Sequence, residues 1–284
     1  MSAKVAAIQM VTTSDLDSNL KTAARLIKAA ASEGAELVLL PEVFAVLEGG
    51  PMHQYGEIEG SPGAVLQNFL ADQAQQYNLT LVGGTIPLIS RPGKSATDAD
   101  RIIEDDRVRA ACLVFDGLGQ QLARYDKIHL FDVTIDDQQS CYSESRSYEA
   151  GTEVVSIDTA VGHLGLSVCY DMRFPELYRQ LFLRGAELVT VPAAFTAVTG
   201  IAHWEVLLRA RAIENQCYII AAAQGGRHSE RRETWGHSMI IDPWGCILAQ
   251  LDGGEAYVIA EIDIDRLKQI RASMPIAEQL KLLS

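Results

Sequence analysis

The chain has 284 residues, 48% of them hydrophobic, and a formal net charge of −13. That length can bury a substantial core, and residues 1–284 read as one domain. The charge argues against nonspecific nucleic-acid binding, and without a long apolar run or a basic-then-apolar leader neither a membrane span nor a signal peptide is predicted.

Val5–Met10 opens the chain as a predicted strand. Asp17 is placed to cap a helix with apolar positions Leu20, Ala23, Ala24, Ile27 and Ala31, ending at Gly34. Leu37–Leu40 form a continuous apolar run, the mark of a strand covered on both faces. Ser61 and Pro62 read as the cap and first residue of a helix running to Tyr77. Leu79–Val82 and Val108–Phe115 are further strands, and the polar stretch 91–107, with Pro92, predicts a mobile excursion between them. In the second half, His163–Val168, Glu187–Val191 and Tyr218–Ala223 read as buried strands separated by helices near Glu176–Arg184 and His203–Gln216. Strands Met239–Ile241 and Tyr257–Ile262 and a short helix over Ile264–Arg271 follow. Helices alternating with apolar strands predict layered α/β packing.

Three strand ends carry reactive side chains. Cys169 stops the run His163–Val168, just before a helix with Pro175 in its first turn. A cysteine at such a corner can face a cleft while neighbouring backbone N–H groups, that of Tyr170 among them, point at a bound oxyanion. Glu42 follows Leu37–Leu40 and Pro41, and Lys127 follows the predicted Val108–Phe115 hairpin. If these ends converge, Glu42 can take the thiol proton, Lys127 can stabilise a tetrahedral oxyanion, and no metal or cofactor is needed. Each residue has an ordinary alternative: a core cysteine, a capping glutamate, a solvated lysine. Five irregularly spaced cysteines favour a reducing cytoplasm over a disulfide scaffold. Cys112, Cys217 and Cys246 read as buried or neutral positions, and Cys141 lies in a polar loop.

Three motifs, Leu39-Leu40-Pro41-Glu42, Tyr125-Asp126-Lys127-Ile128-His129-Leu130-Phe131 and Val168-Cys169-Tyr170-Asp171-Met172-Arg173-Phe174-Pro175-Glu176, occur in that order. They resemble the nitrilase superfamily, the carbon–nitrogen hydrolases, across nearly the whole chain. The resemblance implies a four-layer αββα sandwich, with Glu42 as general base, Lys127 as oxyanion stabiliser and Cys169 as nucleophile. Glu144 matches a second glutamate of that family, one that orients the lysine or assists the leaving group. The segments Pro192–Gly200, His203–Asn215, Ala221–His228 and Asp242–Gly245 resemble the Nit amidases, within them the branch acting on deaminated glutathione. That resemblance implies a small-molecule amide with a 2-oxo acid portion, cleaved to 2-oxoglutarate and cysteinylglycine. The alternatives are an ω-amidase acting on α-ketoglutaramate, an N-acyltransferase using the same thioester and, more distantly, a non-enzymatic interaction module.

A substrate carboxylate calls for a guanidinium. Arg173 is a candidate, unless it pairs with Glu205 or Asp171 to brace the cysteine turn. Arg227, in a glycine-rich loop, is freer, and Phe195 and Thr196 are placed to wall the acyl pocket. Arg209 and Arg211, two apart on a predicted helix, cannot share that pocket, and Trp204 reads as helix packing. By resemblance the chain is expected to form a homodimer through the helices near Glu176–Arg184 and His203–Gln216, using Leu177, Leu181, Phe182, Val206, Leu207 and Ile213.

Overall fold

The computed structural model describes residues 2–47, 50–93, 98 and 101–281. The apolar runs become the central strands of two sheets. The first runs, in spatial order, Ala256–Asp263, Ser2–Gln9, Leu37–Leu39, Thr80–Val82, Arg109–Phe115 and Ile86–Leu88, with Gln121–Asp126 also paired to Arg109–Phe115. The second runs Ile247–Gln250, Met239–Ile241, Tyr218–Ala223, Leu188–Ala193, Gly162–Leu166 and Ser156–Thr159. Leu37–Leu39 is parallel to both its neighbours, as is Leu188–Ala193 to its own.

Side-chain alternation along these strands builds the layers. Val5, Ala7, Leu37 and Leu39 join a core cluster with Leu164, Leu166, Val189 and Val191 of the second sheet. Ala6, Ile8, Val38 and Leu40 instead pack with Leu26 and Ile27 of helix Leu16–Ser32 and with Leu66 and Leu70 of helix Val65–Tyr77. Helices Pro175–Leu183 and Ala197–Asn215 cover the second sheet through Leu177, Leu181, Trp204 and Leu208. The order is helix, sheet, sheet, helix, the αββα sandwich expected.

Two buried glutamines tie the sheets together. Gln9 Oε1 accepts from Ser238 N and Oγ, both at 2.9 Å, at the start of a second-sheet strand. Gln224 Nε2 donates to Thr12 Oγ1 at 2.7 Å and to the Glu42 carbonyl at 3.0 Å. Both side chains are fully enclosed, so these bonds cannot be traded for water without cost.

Several sequence expectations shift. Asp15, not Asp17, caps the first helix, its carboxylate accepting from Ser18 N at 3.1 Å, because Asp17 already lies in the first turn. An unread helix, Met52–Glu59, precedes the third, which starts at Val65 rather than Pro62. The reason is Glu59: its buried carboxylate accepts from Leu66 N at 2.7 Å and Gln67 N at 3.0 Å, doing the capping expected of Ser61. The helix read as beginning near His203 starts at Ala197. Part of the expected excursion, residues 94–97, 99 and 100, lies outside the described residues. Its flanks are tied down, Ile103 N donating to Ile89 O at 2.8 Å and Arg91 Nε to Glu149 at 2.7 Å. No helix of the described residues is long and apolar enough to cross a membrane.

Candidate active site

Both sheets feed one cavity. Glu42 follows the end of Leu37–Leu39, and Lys127 directly follows Gln121–Asp126, so both ride on the first sheet. Cys169 lies just past Gly162–Leu166 in the second sheet and opens a 3-10 helix, Cys169–Arg173. Its φ of +46° is left-handed, a conformation a non-glycine residue holds only when its surroundings enforce it.

Asp171 supplies much of that enforcement. Its fully buried carboxylate accepts from Val168 N at 2.8 Å and Tyr125 Oη at 2.7 Å through one oxygen. The other oxygen accepts from His129 N at 3.0 Å and lies 2.7 Å from His129 Nδ1. The His129 ring stacks on Phe174 at 3.7 Å. One carboxylate thus joins the cysteine turn to the segment bearing Lys127. Arg211 braces the turn from the other side, donating from Nε to Met172 O at 2.9 Å.

Lys127 is almost completely enclosed, and its ammonium is shared by two carboxylates. Nζ lies 2.8 Å from Glu42 Oε1 and 2.9 and 2.8 Å from the two oxygens of Glu144. Glu42 Oε2 accepts from Ala194 N at 2.8 Å, and Glu144 Oε2 from Phe131 N at 2.6 Å. Burial pulls against the Lys127 charge, but Glu144 and Glu42 outweigh it and hold the ammonium well above the ordinary lysine range. Burial raises Glu144, helped by Glu42 and opposed by Lys127. Burial, with the neighbouring Glu42 carboxylate, also raises the Cys169 thiol well above its usual value. The sulfur therefore rests protonated at neutral pH, beside a carboxylate able to accept its proton.

The cavity has a volume of about 340 Å³ and is lined by Glu42, Lys127, Glu144, Cys169, Tyr170, Phe195 and Thr196, with Tyr142, Tyr148 and Arg232 among the rest. Thr196 shares a 2.7 Å hydroxyl contact with Thr199, and Phe195 packs against the buried Trp204 at 5.2 Å.

Two expected carboxylate partners do not line it. Arg173 lies over the rings of Phe195 and Tyr170 at 5.1 and 5.7 Å and faces His203 Nδ1 at 3.3 Å. Nor does it brace the turn through Glu205 or Asp171: Arg209 holds Glu205 at 3.1 Å, and Asp171 is taken up as described. Arg227 is exposed and folds onto its own loop, reaching the carbonyls of Ser229 at 3.1 Å and Glu230 at 3.3 Å. The arginine turned inward is Arg232, from the same loop. The sequence shows Arg227, Arg231 and Arg232 together, and the hairpin pairing of Gly225–Arg227 with Glu233–Trp235 decides which one enters. Asp171 was also missed as an organising residue, since nothing in its local pattern separates it from a surface acid. Cys112 and Cys217 are buried, while Cys246, expected to be buried or neutral, is exposed in the turn after Trp244, as is Cys141.

A thiol, a carboxylate and an ammonium around one cavity form the set that acyl transfer through a thioester uses. Residues 4–272 match the carbon–nitrogen hydrolase family model, and the chain belongs to the carbon–nitrogen hydrolase family. Among its relatives, the deaminated glutathione amidase of Synechocystis is 46% identical over 95% of both chains. That of Homo sapiens is 40% identical over 96% of this chain and 80% of its own. The crystal structure of Saccharomyces cerevisiae Nit3, a member of branch 10 of the nitrilase superfamily, superposes with a TM-score of 0.81 at 31% identity, covering 96% of this chain and 94% of Nit3. The Caenorhabditis elegans NitFhit protein gives a TM-score of 0.84 at 37% identity over 99% of this chain and 65% of its own.

Proposed function

We propose that the protein is an amidase that hydrolyses deaminated glutathione to 2-oxoglutarate and cysteinylglycine through an acyl-enzyme on Cys169. The observation that carries the chemistry is the buried Glu42–Lys127–Glu144 array on the wall that also bears Cys169. The substrate reading is supported by the relatives that carry that name.

Glu42 takes the thiol proton as sulfur attacks the amide carbon, and the C–N electrons leave with a proton returned by Glu42 to the amine. A water then gives its proton to Glu42 and its oxygen to the thioester, releasing the acid and restoring the thiol. Glu144 grips the ammonium with both oxygens. One Lys127 N–H can therefore turn to the oxyanion while another keeps the Glu144 bond. The N–H of Tyr170, in the first turn of its short helix, is a second donor, because such groups lack partners within the helix. Phe195 and Thr196 shape the acyl pocket.

Deaminated glutathione and α-ketoglutaramate, compared as kcat/KM under identical conditions, test the assignment. A clear preference for deaminated glutathione is expected. Preference for α-ketoglutaramate moves the protein to the ω-amidases, and turnover of neither ends the reading.

The homodimer is also proposed, on revised residues. Leu177, Leu181 and Phe182 are buried in their own subunit and cannot pair with another. The outer face of helix Ala197–Asn215 instead exposes Val198, Ile201, Val206 and Ile213, and Ile201 is 72% accessible. Trp244 is also exposed, in the turn whose Gly245 carbonyl accepts from Arg209 of that helix at 2.9 Å. Such a patch marks an interface more often than a free surface. Light scattering across a concentration series is expected to give twice the mass of one chain; a single-chain mass with full activity overturns the dimer. All five cysteines are free, which supports a reducing, cytoplasmic setting.

A further inference from the structure

We infer that Arg232 is the carboxylate-binding residue of the cavity, a guanidinium held open for an anionic group of the substrate. The inference rests on the amidase reading and deepens it.

The charged lining of the cavity consists of Glu42, Lys127, Glu144 and Arg232. The first three form a closed unit of two carboxylates on one ammonium. With both acids ionised that unit carries a net negative charge, so it repels a second anion and has no free cation to offer one. Arg232 differs. Among the described residues its side-chain polar partners are an amide oxygen and a backbone carbonyl, with no ion pair to a carboxylate. Its polar contacts are long, Nη1 at 3.5 Å from Gln139 Oε1 and Nη2 at 3.3 Å from the Ala194 carbonyl. Its Nε is buried with no partner at all. A guanidinium left so poorly paired costs stability unless a ligand completes it.

Its placement suits that task. One face of the guanidinium lies 4.9 Å from the centre of the Tyr142 ring, and Tyr142 is itself fixed by a 2.8 Å bond to Asp137. Stacking of this kind orients the guanidinium plane and leaves its two Nη groups, whose contacts are long, for two-pronged recognition. Ala194 lies between the two groups, since its carbonyl meets Arg232 and its N–H meets Glu42. A carboxylate on Arg232 therefore lies one short chain away from the reacting carbonyl. Deaminated glutathione offers two such groups, the 2-oxo acid carboxylate of the acyl part and the C-terminus of the leaving dipeptide. α-Ketoglutaramate offers only the first.

The test compares Arg232→Met and Arg232→Lys with the native full chain. For deaminated glutathione, R232M is expected to lower kcat/KM by about 30- to 100-fold, the scale of a lost charge-assisted contact, mainly through KM. R232K should recover part of that. An equal loss on α-ketoglutaramate assigns the acyl carboxylate to Arg232, and a loss confined to deaminated glutathione assigns the dipeptide carboxylate. Unchanged KM for both overturns the inference. A second readout needs no turnover: 2-oxoglutarate or the thiol-free dipeptide alanylglycine should slow iodoacetamide labelling of Cys169 in the native protein and do so far less in R232M. If the native protein cleaves neither amide yet that difference persists, the amidase reading fails and the carboxylate site stands. Absence of protection in the native protein, or equal protection in both, overturns the site itself.

Discussion

Replacing Cys169 with alanine is expected to lower turnover by about 10⁴-fold or more, the scale seen when a covalent nucleophile is removed, and to leave the fold standing. The thiol is the nucleophile on the cavity wall that lies against the Glu42 carboxylate, whereas the hydroxyls of Thr196 and Thr199 are bonded to each other. Alanine keeps the β-carbon, so the left-handed backbone at this position is no more strained than before. Losing one buried sulfur should cost roughly 1 kcal/mol of stability. Intact-protein mass spectrometry during turnover should show a substrate-derived acyl adduct on the native chain and none on the variant. Native-like activity in C169A would refute the mechanism outright.

Lys127→Met should damage both activity and stability. Loss of the ammonium removes an oxyanion contact of about 3 kcal/mol in the transition state. It also leaves the buried Glu42 and the half-buried Glu144 facing each other with no cation between them. Breaking a buried ion pair from one side costs roughly 3–5 kcal/mol. That penalty depends on pH. Burial already raises Glu144 in the native protein against the pull of Lys127, and removing the lysine raises it further. The folded variant then holds a proton that its unfolded carboxylates, with pKa values of about 4.3, release. A native state that binds more protons loses stability as pH rises. The gap between native and variant in urea unfolding should therefore be small near pH 4 and widen toward pH 8. A gap that narrows over that interval would show that the two carboxylates are not coupled through Lys127.

Much of the fold was legible because its central strands are covered on both faces. Leu37–Leu39, Leu188–Ala193 and Tyr218–Ala223 are buried throughout, and such strands must be written as unbroken apolar runs. Helix starts were less legible because a cap can come from outside the helix. Glu59 caps its successor from the end of another helix, and no local signal separates it from Ser61. The candidate site divides in the same way. Glu42, Lys127 and Cys169 stand at the ends of readable strands, and the sheets bring them together. Arg232 and Asp171 depend on how a hairpin and a short turn fold, so residue type alone pointed to Arg227 and Arg173 instead.

Glu42 and Lys127 belong to one sheet and Cys169 to the other, so their mutual distances measure how the two sheets are aligned. Gln9 and Gln224 act like the teeth of a vernier: they fix the slide of one layer over the other at points where no water intervenes. Gln224 does so through the backbone of Glu42 itself. On the mechanism proposed here, the chemistry is poised on an interlayer offset rather than on a loop. A substitution deep between the sheets, remote from any bound molecule, then reaches the reacting groups as surely as one that touches it.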